Sequence, residues 1–296
     1  MYLPDFEYYS PATVNEACLI LARLDGVGRV LAGGTDLLPH MKNGTMAPTA
    51  LVSLKEMREL REIAYVPGRG VVIGARATQN GLVRSPVLQE RYPAVCETAH
   101  SMANNQIRNR GTIGGNLVSA VPSADLPPIL IALQANVALA GPRETRTIPL
   151  ESFFVRPRCS VIAPDEILTE VVIPDQVTTG SVYLKFGLRR SGALAVVGVA
   201  ASVVSDGTHV REVRIVLGAV APTPVRACEA ESLLRGNRVT EALLEEVGRA
   251  AGYGCRPISD IRGSDEYRRD MVAVFTKRAL RKALKLAAPH ATRGTR

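Results

Sequence analysis

The sequence predicts an α+β protein made of more than one compact unit, and three observations carry that reading. Near the start, a strand-like run at residues 29–32 feeds paired glycines and then an apolar turn, the pattern of strand, loop and helix. In the middle, strand-like runs at 62–65 and 71–73 flank Pro67-Gly68-Arg69-Gly70, a hairpin signal. From Ser181 the texture changes to three strand-like runs followed by two helical ones, the order of a sheet covered by helices on one face. At 296 residues the chain has room for two or three units, each with its own core.

Taken in order, Thr13-Val14-Asn15-Glu16 reads as a capping box. Its hydroxyl and carboxylate can satisfy free N–H groups at a helix start. Val14, Ala17, Cys18, Leu21 and Leu24 give that helix one apolar face, and Asp25-Gly26 ends it. Residues 50–54 form another strand, which closes a small first unit spanning 1–56. Gly68, Gly70 and Gly74 come close to a dinucleotide fingerprint, but the spacing is one residue too long and no βαβ unit surrounds them, so a Rossmann reading is rejected. Residues 78–103 predict helical pieces broken at Pro86 and Pro93. A short helix at 126–133, a strand at 137–140, a turn at 149–154 and a strand at 171–174 complete a middle unit, 57–176. Strands at 182–188, 195–204 and 210–217, then helices at 240–250 and 265–285, build a C-terminal α+β unit, 177–288. The tail, 289–296, is expected to be disordered.

Composition bounds the function. The chain is 46% hydrophobic and 22% charged, ordinary for a globular protein, with no apolar run long enough to span a bilayer. The N-terminus shows neither a basic leader nor an apolar signal core, so a cytoplasmic chain is expected. The net charge of +8 raises nucleic acid as a partner, but aromatics make up 4% and Trp is absent, so base-stacking platforms are not evident. The densest basic run, from Lys277 to Lys285, alternates with Ala and Leu and reads as the solvated face of a helix. Five scattered cysteines without a Cys-x-x-Cys signal neither zinc nor an iron–sulfur cluster and read as buried thiols. No hydrolytic motif occurs and the four histidines lack metal spacing, so catalytic and metal residues are not assigned. Chemistry borne by a cofactor fits best.

Two glycine loops give that cofactor a place. Ala32-Gly33-Gly34-Thr35-Asp36-Leu37 lies between strand and helix, and Gly111-Thr112-Ile113-Gly114-Gly115-Asn116 repeats the pairing of Gly-Gly with Thr, with Ser123-Ala124-Asp125 close behind. Glycines let backbone N–H groups approach an anion, and two such loops could grip one diphosphate.

The stretches AGGTDLLPHMK and GTIGGNLVSAVPSADLPP resemble the two FAD diphosphate loops of the flavoprotein (medium) subunit of molybdenum hydroxylases, the family of carbon monoxide dehydrogenase, xanthine dehydrogenase and 4-hydroxybenzoyl-CoA reductase. The resemblance runs from Phe6 through Ser259-Asp260-Ile261-Arg262-Gly263-Ser264. It implies a two-part FAD-binding region of the vanillyl-alcohol-oxidase/PCMH type, subdomains 1–56 and 57–176, followed by a C-terminal domain with a three-stranded sheet and helices. It also implies that Ala32, Gly33, Gly34, Thr35, Asp36 and Leu37, with Thr112, Gly114, Gly115 and Asn116, hold the diphosphate through N–H and hydroxyl groups. Asp125 matches an acidic residue near the sugar-like part of FAD, although a helix N-cap is an equally simple role for it. Lys185 matches a lysine at the pyrimidine end of the flavin ring. Tyr183, Lys185 and Gly187 share one strand face, so a solvent-facing lysine is the competing reading. Arg108 and Arg110 divide evenly between phosphate ligands and solvent or partner contacts, whereas His40 reads as capping or packing near its loop ahead of a role at the flavin.

The implied partners are a large molybdopterin-binding subunit and a small subunit with two [2Fe–2S] clusters. Between the clusters and NAD or a quinone-like acceptor, this chain's FAD would pass electrons as part of an oxidoreductase hetero-oligomer. Two departures stand out. The cysteine-rich insertion of the reductase branch is missing after Asn116, and Ala193-Leu194 stands where several relatives carry Asp-Tyr after the glycine matching Gly192. A self-contained flavin oxidase and a non-enzymatic partner-binding module are the rival readings. The organic substrate, the terminal acceptor, the direction of electron flow and the stoichiometry are not written in this chain.

Overall fold

The computed structural model describes residues 3–189, 191–206 and 208–287. The expected tail, 289–296, lies outside them. The chain divides into two compact units, 1–121 with 134–175, and 122–133 with 176–296.

The first unit holds two sheets. Strands β1 (Glu7–Tyr9), β2 (Gly28–Leu31) and β3 (Ala50–Ser53) form a parallel sheet in the order β1-β3-β2, with Tyr8 opposite Leu51 and Val30 opposite Val52. Helix α1 (Val14–Arg23) crosses between β1 and β2 and buries Ala17, Cys18, Ile20 and Leu21 in a core with Val52, Leu54 and Met57. Its capping box forms with one change. Glu16 N–H donates to Thr13 Oγ1 at 3.2 Å, while the Glu16 carboxylate takes the N–H of Ala12 rather than that of Thr13, at 2.9 Å. Asp25 and Gly26 turn out of the helix with φ of 43° and 81°. After β2 comes helix α2 (Leu37–Lys42).

The second sheet is antiparallel, in the order β4-β5-β10-β6-β7, from β4 (Ile63–Val66), β5 (Gly70–Gly74), β6 (Asn136–Ala140), β7 (Thr145–Pro149) and β10 (Ile167–Ile173); a small hairpin, β8 (Phe154–Arg156) with β9 (Cys159–Ser160), lies between. The expected hairpin at 67–70 forms, with Gly68 and Gly70 at φ of 79° and 103°. Helices α3 (Gln79–Arg84), α4 (Pro86–Arg91) and α5 (Pro93–Ser101) break where the prolines stand, each proline opening a new helix at its first position. Short α6 (Asn105–Arg108) and α7 (Ile113–Val118) follow.

The second unit contains α8 (Leu126–Ala132) and an antiparallel sheet in the order β11-β12-β13-β14, from β11 (Gly180–Phe186), β12 (Val197–Ser205), β13 (Val210–Gly218) and β14 (Val225–Arg226). Helices α9 (Cys228–Leu234), α10 (Glu241–Tyr253) and α11 (Asp265–Ala287) complete it. Val197, Val199, Ala201 and Val203 of β12 join Leu244, Val272, Ala279 and Ala283 of the helices in one core.

Several expectations change here. The sheet gains a fourth, two-residue strand, β14. It is covered on both faces rather than one, because α8 packs against β12 and β13, with Pro128 seated where Gly218 has no side chain. Residues 122–133 therefore cluster with the C-terminal unit instead of with 57–176. The basic run on α11 is the solvated face expected, with Arg278, Arg281, Lys282 and Lys285 exposed; on it Lys277 pairs with Glu245, and Arg281 with Glu241 at 2.5 Å, both on α10. The five cysteines are all free, but Cys228 is exposed, contrary to the expectation of buried thiols. No helix among the described residues is long and apolar enough to cross a membrane.

Candidate functional site

The first glycine loop joins the end of β2 to α2. Gly34 adopts φ of 74°, the left-handed region where a side chain is strained. At Gly33 a Cβ would overlap the carbonyl oxygen of Arg110, so the first loop rests backbone on backbone against the approach to the second. Asp36 stands at the N-cap position of α2 but makes no cap bond; its Oδ2 accepts from Ser119 Oγ at 2.6 Å, tying the first loop to the end of α7. The N–H groups of Gly33, Gly34, Thr35, Asp36 and Leu37 have no acceptor among the described residues. Consecutive unpaired N–H groups of this kind form an anion-binding concavity.

The second loop is different. Ile113 and Gly114 donate to the carbonyls of Ala77 and Ala75 at 3.0 and 2.9 Å, Gly115 donates to Thr112 Oγ1 at 3.1 Å, and Asn116 donates to the Thr112 carbonyl at 3.0 Å. The N–H groups of Ile113, Gly114, Gly115 and Asn116 thus have acceptors within the fold, whereas that of Thr112 has none among the described residues. A Cβ on Gly114 would meet Ala75 at 2.8 Å, so this glycine serves close packing against the end of β5. Thr112 caps α7 and is bridged to Thr78, the cap of α3. The second loop also leaves side-chain chemistry open: Asn116 Oδ1 and the nearby Gln79 Oε1 are buried without a hydrogen-bond partner.

A cleft of ≈ 330 Å³ opens beside both loops, near the lower end of the range of about 300–1,000 Å³ usual for ligand sites. Ala32 and Gly33 of the first loop and Thr112 of the second line it, together with Lys55, Arg61 and Arg76. Arg110 also lines it. Gly34, Thr35, Asp36, Leu37, Gly114, Gly115 and Asn116 do not. Arg76 donates to the Met57 carbonyl at 2.7 Å, and its pKa is lowered by burial first and by Arg61 second. The sequence reading missed Lys55, Arg61 and Arg76, which stand in no motif and meet because the two sheets bring 55–61 and 76 to one wall. The unpaired N–H run, the cations and the orphaned carbonyl of Asn116 suit an anionic ligand that also carries hydroxyl or amino donors, as FAD does.

Arg108 and Arg110 separate. Arg108 is a brace, donating to the Met102 carbonyl at 2.7 Å and to Asn80 Oδ1 at 3.3 Å, whereas Arg110 faces the cleft. His40 is held at both nitrogens, Nδ1 with Thr45 Oγ1 and Nε2 with the Arg158 guanidinium, each at 2.9 Å. Because the Thr45 hydroxyl donates to the His40 carbonyl, Nδ1–H donates to Thr45 and Nε2 accepts from Arg158. The ring is thus packed between its own loop and Arg158.

The other two expected residues meet in the second unit. Lys185 Nζ donates to Asp125 Oδ2 at 2.8 Å and Tyr183 Oη to Oδ1 at 2.7 Å. Neither bland role survives: Asp125 makes no cap bond to α8, and Lys185 is 13% exposed because α8 covers its face of the sheet. Burial pushes the Asp125 carboxyl above its ordinary range, against the pull of Lys185 and Tyr183. Burial also drives the Tyr183 phenol well up, with Asp125 adding to it.

Comparison with known proteins places the chain in a family. Residues 4–176 match the FAD binding domain in molybdopterin dehydrogenase, and 182–283 the CO dehydrogenase flavoprotein C-terminal domain. The carbon monoxide dehydrogenase medium chain of Hydrogenophaga pseudoflava is 37% identical over 96% of this chain and 98% of its own length. The nicotine 6-hydroxylase medium subunit of Paenarthrobacter nicotinovorans is 33% identical over 95% and 98%. Among solved structures, carbon monoxide dehydrogenase from Hydrogenophaga pseudoflava lacking the Mo-pyranopterin moiety superposes with a TM-score of 0.94 at 37% identity, covering 97% of this chain and 100% of that one. These relatives are oxidoreductase subunits, and the chain belongs with them to the family of FAD-binding medium subunits of the molybdenum hydroxylases.

Proposed function

We propose that this chain is the electron-transfer subunit of a multi-subunit molybdenum hydroxylase. It would pass electrons between [2Fe–2S] clusters of a small partner subunit and NAD or a quinone-like acceptor, while a large molybdopterin-binding partner carries the organic chemistry. The cluster relay is assigned to a partner because this chain's cysteines stand singly along the sequence. The observation that carries the reading is the run of unpaired N–H groups from Gly33 to Leu37 beside a cationic cleft.

In this reading the chain's residues divide their work. Gly33 to Leu37, with Ala32 at the start of the loop, receive the diphosphate oxygens, and Lys55, Arg61, Arg76 and Arg110 offset its charge. Thr112 on the cleft wall, with Gly114 and Gly115 of the same loop, faces the diphosphate from the second side, and Asn116 offers its carbonyl to a ligand hydroxyl. Asp125 and Lys185 form the polar end near the flavin ring. The subdivision of residues 1–176 into parts 1–56 and 57–176 belongs to the same proposal. When bound, FAD supplies a redox centre able to exchange electrons singly or in pairs.

Gly34→Val forces a β-branched residue into left-handed backbone, and Gly115→Val crowds Thr112 Oγ1, which lies 3.0 Å from where its Cβ would stand. Each variant is expected to fold, by circular dichroism, without yellow flavin absorbance. Stoichiometric FAD retained in both would overturn the loop assignment.

A further inference from the structure

Tyr183, Asp125 and Lys185 form a closed set inside the second unit. Asp125 is 5% exposed and Tyr183 8%. Both Asp125 oxygens are engaged, one by the phenol and one by the ammonium. Tyr183 and Lys185 alternate on β11 and so face the same side, which α8 covers. Gly198 stands directly across the ladder from Lys185, and a Cβ there would lie 2.5 Å from the Tyr183 hydroxyl. The glycine makes the room in which the phenol reaches Asp125. Helix α8 and strand β12 carry no ionisable side chain, and on β13 Arg214 and Glu212 stand on the same face at the Ser202 and Val204 register positions.

Charge bookkeeping in this set differs from that of a lone lysine. An ionised Asp125 beside Lys185 makes a neutral pair, whose field falls off faster than that of a free cation. Whether the pair stays neutral depends on keeping a buried carboxylate ionised, and a hydrogen bond to the charged form favours that form. The phenol supplies such a bond.

We propose that Tyr183 is a positioning residue of the flavin site, holding Asp125 as the ionised counter-ion of Lys185 so that the lysine meets the flavin as half of a neutral pair. The inference rests on the reading that Lys185 lies at the flavin ring. Tyr183 itself touches no reacting atom and acts through Asp125.

Tyr183→Phe keeps the ring and removes the donor. Asp125 then protonates more readily, Lys185 loses its counter-charge, and the bound FAD reduction potential shifts positive by spectroelectrochemistry. Asp125→Asn shifts it in the same direction, and Tyr183→Phe added to Asp125→Asn gives no further shift. Gly198→Ala, which displaces the phenol without removing it, reproduces the sign of Tyr183→Phe. In the FAD-free chain, isotope-edited infrared titration places the Asp125 carboxyl midpoint higher in Tyr183→Phe than in the parent chain. An unmoved midpoint, or a Tyr183→Phe shift that persists in full on Asp125→Asn, overturns the inference. Lys185→Met separates the two levels. A negative shift supports the flavin reading, whereas an unchanged potential removes that reading and the inference with it.

Discussion

Two arginines set how Asp260 meets acid. Arg262 and the buried Arg268 both donate to its carboxylate, at 2.6 Å each. Arg262 foremost, with Arg268 adding, holds its pKa at about 2 against the ordinary 3.8. A folded-state pKa below the unfolded one contributes stability above the unfolded value, and that contribution is lost as pH falls through the folded value. The window here runs from about pH 4 down to about 2. Asp260→Asn should flatten the acid limb of stability in that window. It should also lower stability at neutral pH by about 2 kcal/mol or more, discounted from the roughly 3–5 of a fully buried pair because Asp260 partly reaches water. Urea melts between pH 7 and 2 check both. At this scale the sequence was legible where local pattern chose the residue: the glycine turn at Gly34 and the cap Thr13 follow from local pattern alone. It was silent where the partner is distant in sequence. The carbonyls of Ala75 and Ala77 that take the N–H groups of Gly114 and Ile113, and the carboxylate that takes Lys185 out of solvent, come from other elements.

Among elements, α10 packs tightly on α11 at Gly248, where a Cβ would lie 2.6 Å from the Ala273 carbonyl oxygen. That contact is backbone on the far side, so it cannot yield as a side-chain tip would. Gly248→Leu should cost about 1–3 kcal/mol by overpacking, read as a Tm lowered by several degrees, with FAD content unchanged since the glycine lies in the second unit's helix pair. A full-strength Tm would mean that the helices can part freely. Elements announced by strong signals were legible: the proline-broken helices, the hairpin at 67–70 and the long strands β12 and β13. Strand β1 has three residues and β14 two. Such lengths are shorter than any alternation pattern can register, and they exist because neighbouring strands supply their hydrogen bonds. Helix α8 was legible as a helix but its packing partners were not, because an all-apolar seven-residue run says that it is buried and not against what.

At the scale of the whole molecule, neither compact unit is a single stretch of chain. The backbone passes from one to the other after Val121, after Leu133 and after Asp175. The matched halves, 4–176 and 182–283, are contiguous in sequence, so a cut between them does not separate the two cores. A fragment of residues 1–176 would keep α8 without its sheet, leaving Leu126, Ile129, Leu130 and Ile131 uncovered, all at most 2% exposed in the intact chain. Such a fragment should aggregate in size-exclusion chromatography. Replacing residues 122–133 in it by a short Gly/Ser linker should restore a monodisperse peak, and a fragment that is monodisperse without that replacement would contradict the assignment of α8.

The same threading sets a timetable during synthesis. Helix α8 emerges with residues 126–132, whereas β12 and β13, the strands it packs against, are complete at residue 218. At translation rates of about 5–20 residues per second, the helix waits on the order of 5 to 20 seconds with no surface to cover it. For that interval the nascent chain displays a short greasy segment from within a nearly finished N-terminal body. The cell must shield it on the ribosome or risk its sticking to a neighbouring chain, and slowing translation after residue 133 would lengthen the exposure.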